Sequence, residues 1–134
     1  MSLGYSVGDF TAIGAFAWNV YKSCRDAPDS FAELSSEVLS LYAVLKEAEE
    51  TVFAQPLPLV QQERLKAVGD GCNHVLKDLQ HLVMKYRSLG PGTQVKGIRD
   101  RMMWGTENVS ELRARLTSNT ALLAAFIRYE CACV

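Results

Sequence analysis

Three side chains could meet one cation. His74, Asp78 and His81 follow at steps of four and three, which puts them on one face of a helix. A protein-held zinc ion needs three or four ligands, and no second His/Cys/Asp/Glu cluster completes such a shell, so the trio reads as polar side chains on a solvated face. The two histidines nominate no catalytic base. There is no Gly-rich phosphate loop, no nucleophile elbow and no His-Glu-x-x-His pair. No catalytic residue, metal site or cofactor is assigned, and the chain is not expected to be an enzyme. Cys24 and Cys72 fall on apolar helical faces and read as core thiols. Cys131-Ala132-Cys133-Val134 has the outline of a prenylation box, but its penultimate Cys and final Val fit that chemistry poorly. Without zinc-finger spacing or a secretory signal pattern, the expected location is intracellular and cytoplasmic.

The charged residues suggest a different chemistry. Residues 1–84 carry six basic and eleven acidic side chains, net −5, whereas residues 85–134 carry eight and four, net +4. Lys85, Arg87, Lys96, Arg99 and Arg101, with Arg113 and Arg115 near them, form a candidate patch for anionic lipid. Aromatics do not interleave with these residues as base stacking would require, and the overall charge of −1 is not that of a nucleic-acid binder. The plainer reading is a set of solvated helix faces of mixed sign. A dipolar chain of this kind also favours self-association.

The most unusual stretch is the first twenty residues. From Leu3 to Val20 the only charged side chain is Asp9, while Val7, Phe10, Ala12, Ile13, Phe16 and Trp18 spread apolar surface around a helix. Eighteen residues is marginal for crossing a bilayer and Asp9 is costly in hydrocarbon, which argues against a permanent transmembrane segment. A helix held in a resting bundle and released to lipid or to a partner satisfies both facts; a core helix enclosed on two sides is the structural alternative. Phe16 and Ala12 are expected to face outward, and Phe10, Ile13 and Ala17 to pack on the second and third helices.

The elements that hold these residues are helices throughout. The first runs from a cap at Ser6 to about Arg25, with Phe10, Ile13, Ala17, Val20 and Cys24 as its seam. The second opens near Pro28 and carries Phe31, Leu34, Val38, Leu41, Leu45, Ala48 and Val52 at unbroken steps of three and four until Pro56 and Pro58 end it. A third spans about Leu59 to Leu89 with Leu65, Val68, Cys72, Val75, Leu79, Leu82 and Tyr86 inward. Gly69 and Gly71 predict a kink or a close helix contact there. After Gly90-Pro91-Gly92, a short helix is expected over Thr93 to Trp104 and a long one from Thr106, burying Val109, Leu112, Leu116, Leu123 and Phe126 or Ile127. No alternating strand pattern occurs. The fold class is all-α: one domain over residues 1–134, an antiparallel helical bundle of four long helices plus one short helix.

Gly4-Tyr5-Ser6-Val7-Gly8-Asp9-Phe10, Ala17-Trp18-Asn19-Val20-Tyr21-Lys22-Ser23-Cys24 and Ala27-Pro28 resemble the helical N-terminal domains of fungal STAND, or NOD-like, receptors. So do Phe31-Ala32-Glu33-Leu34, Glu37-Val38, the Leu41 to Leu45 stretch, Trp104 and Leu112-Arg113-x-Arg115-Leu116. Those domains are related to HeLo and HeLo-like domains, similar in architecture to the executioner domain of the mixed-lineage kinase-like pseudokinase and to the coiled-coil domains of plant resistance receptors. The resemblance implies a cell-death, heterokaryon-incompatibility or innate-immunity signalling domain that oligomerises on activation. It also implies membrane engagement or permeabilisation through the N-terminal helix, here Leu3 to Val20, and nucleotide-binding and repeat domains downstream in a full-length receptor. A non-lytic adaptor bundle that docks another protein is the alternative.

Overall fold

The computed structural model describes residues 7–26, 30–54, 57–88 and 106–131, and within them the chain is all-helical. Helix α1 is Val7–Arg25, α2 Ser30–Ala54, α3 Leu59–Ser88 and α4 Thr106–Phe126, which runs on as a π-helical segment, Ile127–Cys131. The expected cap at Ser6 and the short helix over Thr93 to Trp104 lie outside the described residues.

Local chemistry explains the ends. Asp9 sits in the first turn of α1 and Lys22 and Arg25 in its last, each opposite in sign to the helix terminus it faces. Pro58, which has no N–H to lose, lies just before α3. Its carbonyl accepts from the Gln62 N–H at 2.9 Å, and the Gln62 side-chain Nε2 donates to the Leu57 carbonyl at 2.8 Å.

The apolar seams meet in one core. Phe10, Ile13, Ala17, Val20 and Cys24 of α1 are buried, as are Phe31, Leu34, Val38, Leu41, Leu45 and Ala48 of α2 and Leu112, Leu116, Leu123 and Phe126 of α4. The side chains of Val52 and Tyr86, the last expected on their seams, lie outside the described residues. On α3 the seam drifts. Leu65, Cys72, Val75 and Leu79 are buried with Leu76 and Val83, whereas the expected Val68 and Leu82 only pack partly against the core. A straight helix rotates by about 20° per heptad against a seven-residue repeat, and along α3 this moves the inward position from Leu82 to Val83.

Helices α1 and α4 each pack on both α2 and α3. Along α1, Thr11 meets Glu49, Gly14 meets Lys46 and Trp18 meets Tyr42, so partner numbers fall along α2 as they rise along α1. Between α2 and α4 they rise together: Arg113 Nη2 donates to Glu33 at 2.8 Å and the Thr117 hydroxyl to Glu37 at 3.4 Å. Between α3 and α4, Asp78 meets Arg115 at 2.7 Å and Gly71 faces Asn119.

Gly71 is the close helix contact its sequence position announces. A Cβ there would lie 2.5 Å from Asn119 Oδ1, and Asn119 is held by its own donation to the Arg115 carbonyl at 2.8 Å. Asn119 and Thr120, which bonds back to the Leu116 carbonyl at 2.7 Å, fill the gap in the α4 seam between Leu116 and Leu123. A Cβ here requires the Asn119 side chain to turn and give up its bond to the Arg115 carbonyl, worth about 0.5–1.5 kcal/mol, against a helix-propensity gain of about 1 kcal/mol for Ala over Gly, so the two effects nearly cancel.

Two outcomes are expected in thermal melts. Leu41→Ala, at a fully buried position, lowers stability by about 2–5 kcal/mol; an unchanged melt would remove Leu41 from the core. Gly71→Ala alone is expected to stay within about 1 kcal/mol of the wild type, whereas in an Asn119→Ala background, which removes the atom in the way, the same change should stabilise by up to about 1 kcal/mol. An effect of Gly71→Ala that is the same in both backgrounds would show that the contact with Asn119 plays no part.

Candidate functional site

Helix α1 carries the residues singled out for membrane or partner engagement, and packing divides them. Phe10, Ile13 and Val20 go into the core. Asp9 and Ala12 are exposed, and Trp18 is 38% exposed. Leu3 lies outside the described residues; Val7 opens the helix, and its side chain is also outside them. Phe16, expected outward beside Ala12, is instead half-buried and packs against the core. Its position is three residues from Ile13, so the same turn that buries Ile13 brings Phe16 over the edge of the seam.

Phe16 also lines an open cleft of about 650 Å³ between α1 and α3. One wall is apolar, from Ala12, Ile13 and Phe16; the other is the polar stripe Lys66, Asp70, Asn73, Lys77 and Gln80, at helical steps of four and three. Lys66 and Asp70 pair across one turn at 2.9 Å with both ends exposed.

On its other flank α1 is tied to α2 by a polar clasp. Glu49 accepts from Thr11 Oγ1 at 2.8 Å and from Lys46 Nζ at 3.0 Å, and its side chain is only 13% exposed. The hydrogen bond from Lys46, then that from Thr11, holds the Glu49 carboxyl below its ordinary value of 4.5 against the opposing effect of burial. Gly14 leaves room for the Lys46 stem, whose Cδ lies 3.9 Å from where a Cβ would stand. Further along, the Trp18 ring lies 5.2 Å from Tyr21 and 5.1 Å from Tyr42, in tilted contacts that cap the α1–α2 seam. The Arg25 guanidinium lies 5.6 Å from the Tyr21 ring centroid and pairs with Asp26 at 3.1 Å.

Of the five residues of the candidate basic patch, Lys85 has a described side chain: it is exposed on α3, about 28 Å beyond Lys66 along the helix axis at 1.5 Å per residue. The Arg87 side chain and all of Lys96, Arg99 and Arg101 lie outside the described residues. Arg113 and Arg115 are engaged within the bundle, with Glu33 and Asp78. That second pair also takes the Asp78 carboxylate away from His74 and His81, and among the described residues no His/Cys/Asp/Glu group is arranged to hold a metal. Burial pushes the Cys72 thiol up to about 12, so it carries no thiolate at neutral pH, and Cys24 is buried as a free thiol.

Known protein families, curated proteins and solved structures give no match to this chain. Function is therefore read from the surfaces that α1 and its neighbours present. Among the described residues no helix is long and apolar enough to cross a membrane. One surface escaped the sequence reading: a groove of about 390 Å³ between α3 and α4 that includes Leu122 and Tyr129. Its signal was present in Leu122, which falls off the three-four repeat that Leu116, Leu123 and Phe126 keep.

The clasp sets a pH dependence. A carboxyl held below its ordinary value stabilises the fold above that value, and the contribution is lost as pH falls through the lowered one. Glu49→Gln is expected to cost about 0.5–1.5 kcal/mol at neutral pH. Its deficit against the wild type should shrink as the pH is taken below 4.5. Melts at neutral and acid pH check this, and a deficit constant with pH would mean that the Glu49 charge does not hold α1.

Proposed function

We propose that this chain is a signalling bundle that engages or permeabilises membrane through α1 and oligomerises when activated, as the resemblance to HeLo-like domains of fungal NOD-like receptors implies. The observation that carries this reading is the surface of α1. From Phe10 to Tyr21 it has no charged side chain, although only one side of it is used by the core. Ala12, Ala15 and Trp18 are outward and can be taken up by lipid or by a second helix, while the outward Asn19 amide suits the headgroup boundary or a hydrogen bond to a second helix. That stretch is about 18 Å long, shorter than the hydrocarbon core of a bilayer, so α1 acts in the interface or as part of an assembly rather than as a lone span.

The fold we assign to this role is a single domain over residues 1–134. In it α1 with α2, and α3 with α4, form antiparallel pairs, α2 and α4 run side by side in the same direction, and a short helix over 93–104 joins α3 to α4. The bundle acts in the cytoplasm, is recruited to the plasma membrane, carries out no catalysis and binds no nucleic acid. In a full receptor, nucleotide-binding and repeat domains follow it. The adaptor alternative, in which the bundle docks another protein without lysing membrane, is favoured by the exposed apolar groove between α3 and α4.

Dye release from vesicles distinguishes the two. Because Phe16 is half-buried, the clean positions are Ala15 and Asn19, both exposed. Ala15→Glu and Asn19→Glu are expected to leave the melt within about 0.5 kcal/mol of the wild type, while abolishing dye release. No dye release by the wild type would leave the adaptor reading, and full release from both variants would discard α1 as the inserting helix.

A further inference from the structure

We infer that the folded bundle pairs with a second copy of itself across the cleft between α1 and α3, the two copies meeting antiparallel about a two-fold axis at Asn73. This rests on the oligomerising part of the function proposed above and names the face on which two copies meet. The α3 wall of the cleft carries Lys66, Asp70, Asn73, Lys77 and Gln80, at steps of four, three, four and three, so all five share one face of the helix. Lys66 and Asp70 are joined across one turn. Lys77 is exposed and has no acidic partner among the described residues. Asp70 stands two turns from it, about 10 Å along the axis, which is out of reach on the same helix.

Read in reverse, this face is its own complement. An axis at Asn73 sets that amide against the partner's Asn73, and two amides can each donate to the other. It brings Asp70 level with the partner's Lys77, to within one residue's rise of about 1.5 Å, and Lys66 level with the partner's Gln80. Symmetry repeats the ion pair, because Lys77 meets the partner's Asp70 in turn. No like charges face each other. Other arrangements of the same two helices are worse. A parallel pair sets every charge against itself. A slide of one turn one way brings Lys66 against the partner's Lys77, and a slide the other way parts both ion pairs. Complementary charge selects partner and register in this manner, although each exposed pair adds little affinity by itself. The cleft's Asp9 and Asp70 balance Lys66 and Lys77, so an anionic membrane or a nucleic acid gains no net attraction there. What a second copy gains beyond charge lies on the α1 wall, where exposed Ala12 and half-buried Phe16 leave water under the lysine stems. A face this polar gives a weak, concentration-dependent dimer.

Sedimentation equilibrium of the full chain, over a range of concentrations at low and high salt, is the test. The wild type is expected to show a monomer-dimer equilibrium that weakens as salt is added. Asp70→Lys and Lys77→Asp each turn two attractions into two repulsions and should raise the dissociation constant by about tenfold or more. Made together, the two changes restore opposite charges across the axis, so the double variant should dimerise to within about threefold of the wild type. Both positions are exposed, and melts close to that of the wild type show that the variants fold. Leu122→Asp, on the flank of α3 that faces α4, should leave the dimer unchanged. A wild type that stays monomeric at about 1 mM overturns the pairing, as does a double variant that dimerises no better than either single one. Dissociation by Leu122→Asp, with both charge variants still dimeric, overturns it too, because the interface then lies at the α3–α4 groove. Dye release by a monomeric wild type drops this pairing alone and leaves the membrane reading of α1 standing.

Discussion

Helix α2 is packed on two flanks, by α1 and by α4, and the seam from Phe31 through Leu34, Val38, Leu41 and Leu45 to Ala48 is the surface those helices share. Each large side chain on it contributes roughly 1.5–3 kcal/mol when fully buried, so losing this face would remove the support of both neighbours at once. The polar contacts stand along its edges. Arg113 with Glu33, Thr117 with Glu37 and Thr11 with Glu49 each join α2 to a different turn of a neighbour. Exposed ion pairs add little stability. Nor does their spacing fix the register alone, because Glu33 and Glu37 stand one turn apart and a one-turn slide of α4 would re-pair Arg113 with Glu37; the close packing of the seam side chains sets it.

The regular seams were legible because a steady three-four repeat has one helical solution. On α2 the repeat is unbroken, and every seam residue from Phe31 to Ala48 is buried. Two features were not legible, each for a physical reason. On α3 the drift of a 3.6-residue helix against a seven-residue repeat moves the inward position to Val83. Phe16 reads as outward from its place off the seam, but an aromatic ring is long enough to reach the core from the boundary. The choice of Leu123 over Leu122 was legible, because only Leu123 keeps the repeat set by Leu112 and Leu116.

Of the candidate site, the α1 seam was readable and its neighbours were not. Nothing in the sequence pairs Thr11 with Glu49 across thirty-eight positions, or sets Ala12 and Phe16 against the polar stripe of α3. Those pairings depend on which helices are adjacent, and periodicity carries no information about adjacency. Arg113 and Arg115 show the same limit: two residues apart in sequence, they are drawn to Glu33 and Asp78 on separate helices.

Burial also constrains how α1 could act. Phe10, Ile13 and Val20 together represent about 5–9 kcal/mol of apolar burial, an upper estimate but comparable to the 5–15 kcal/mol that holds a typical domain together. Helix α1 therefore cannot move into water while the other three helices stay folded. It can leave only if an apolar destination is within reach at the moment its seam opens. On the proposed reading, this fixes the order of events: the bundle must be at a lipid surface, or against other copies, before α1 is released. The clasp from Thr11 to Glu49 and the aromatic contact of Trp18 with Tyr42 lie about two turns apart along the α1–α2 contact, so the helix has two points to free. The clasp is the one nearer the start of α1, and opening from that end would expose Phe10 and Ile13 first.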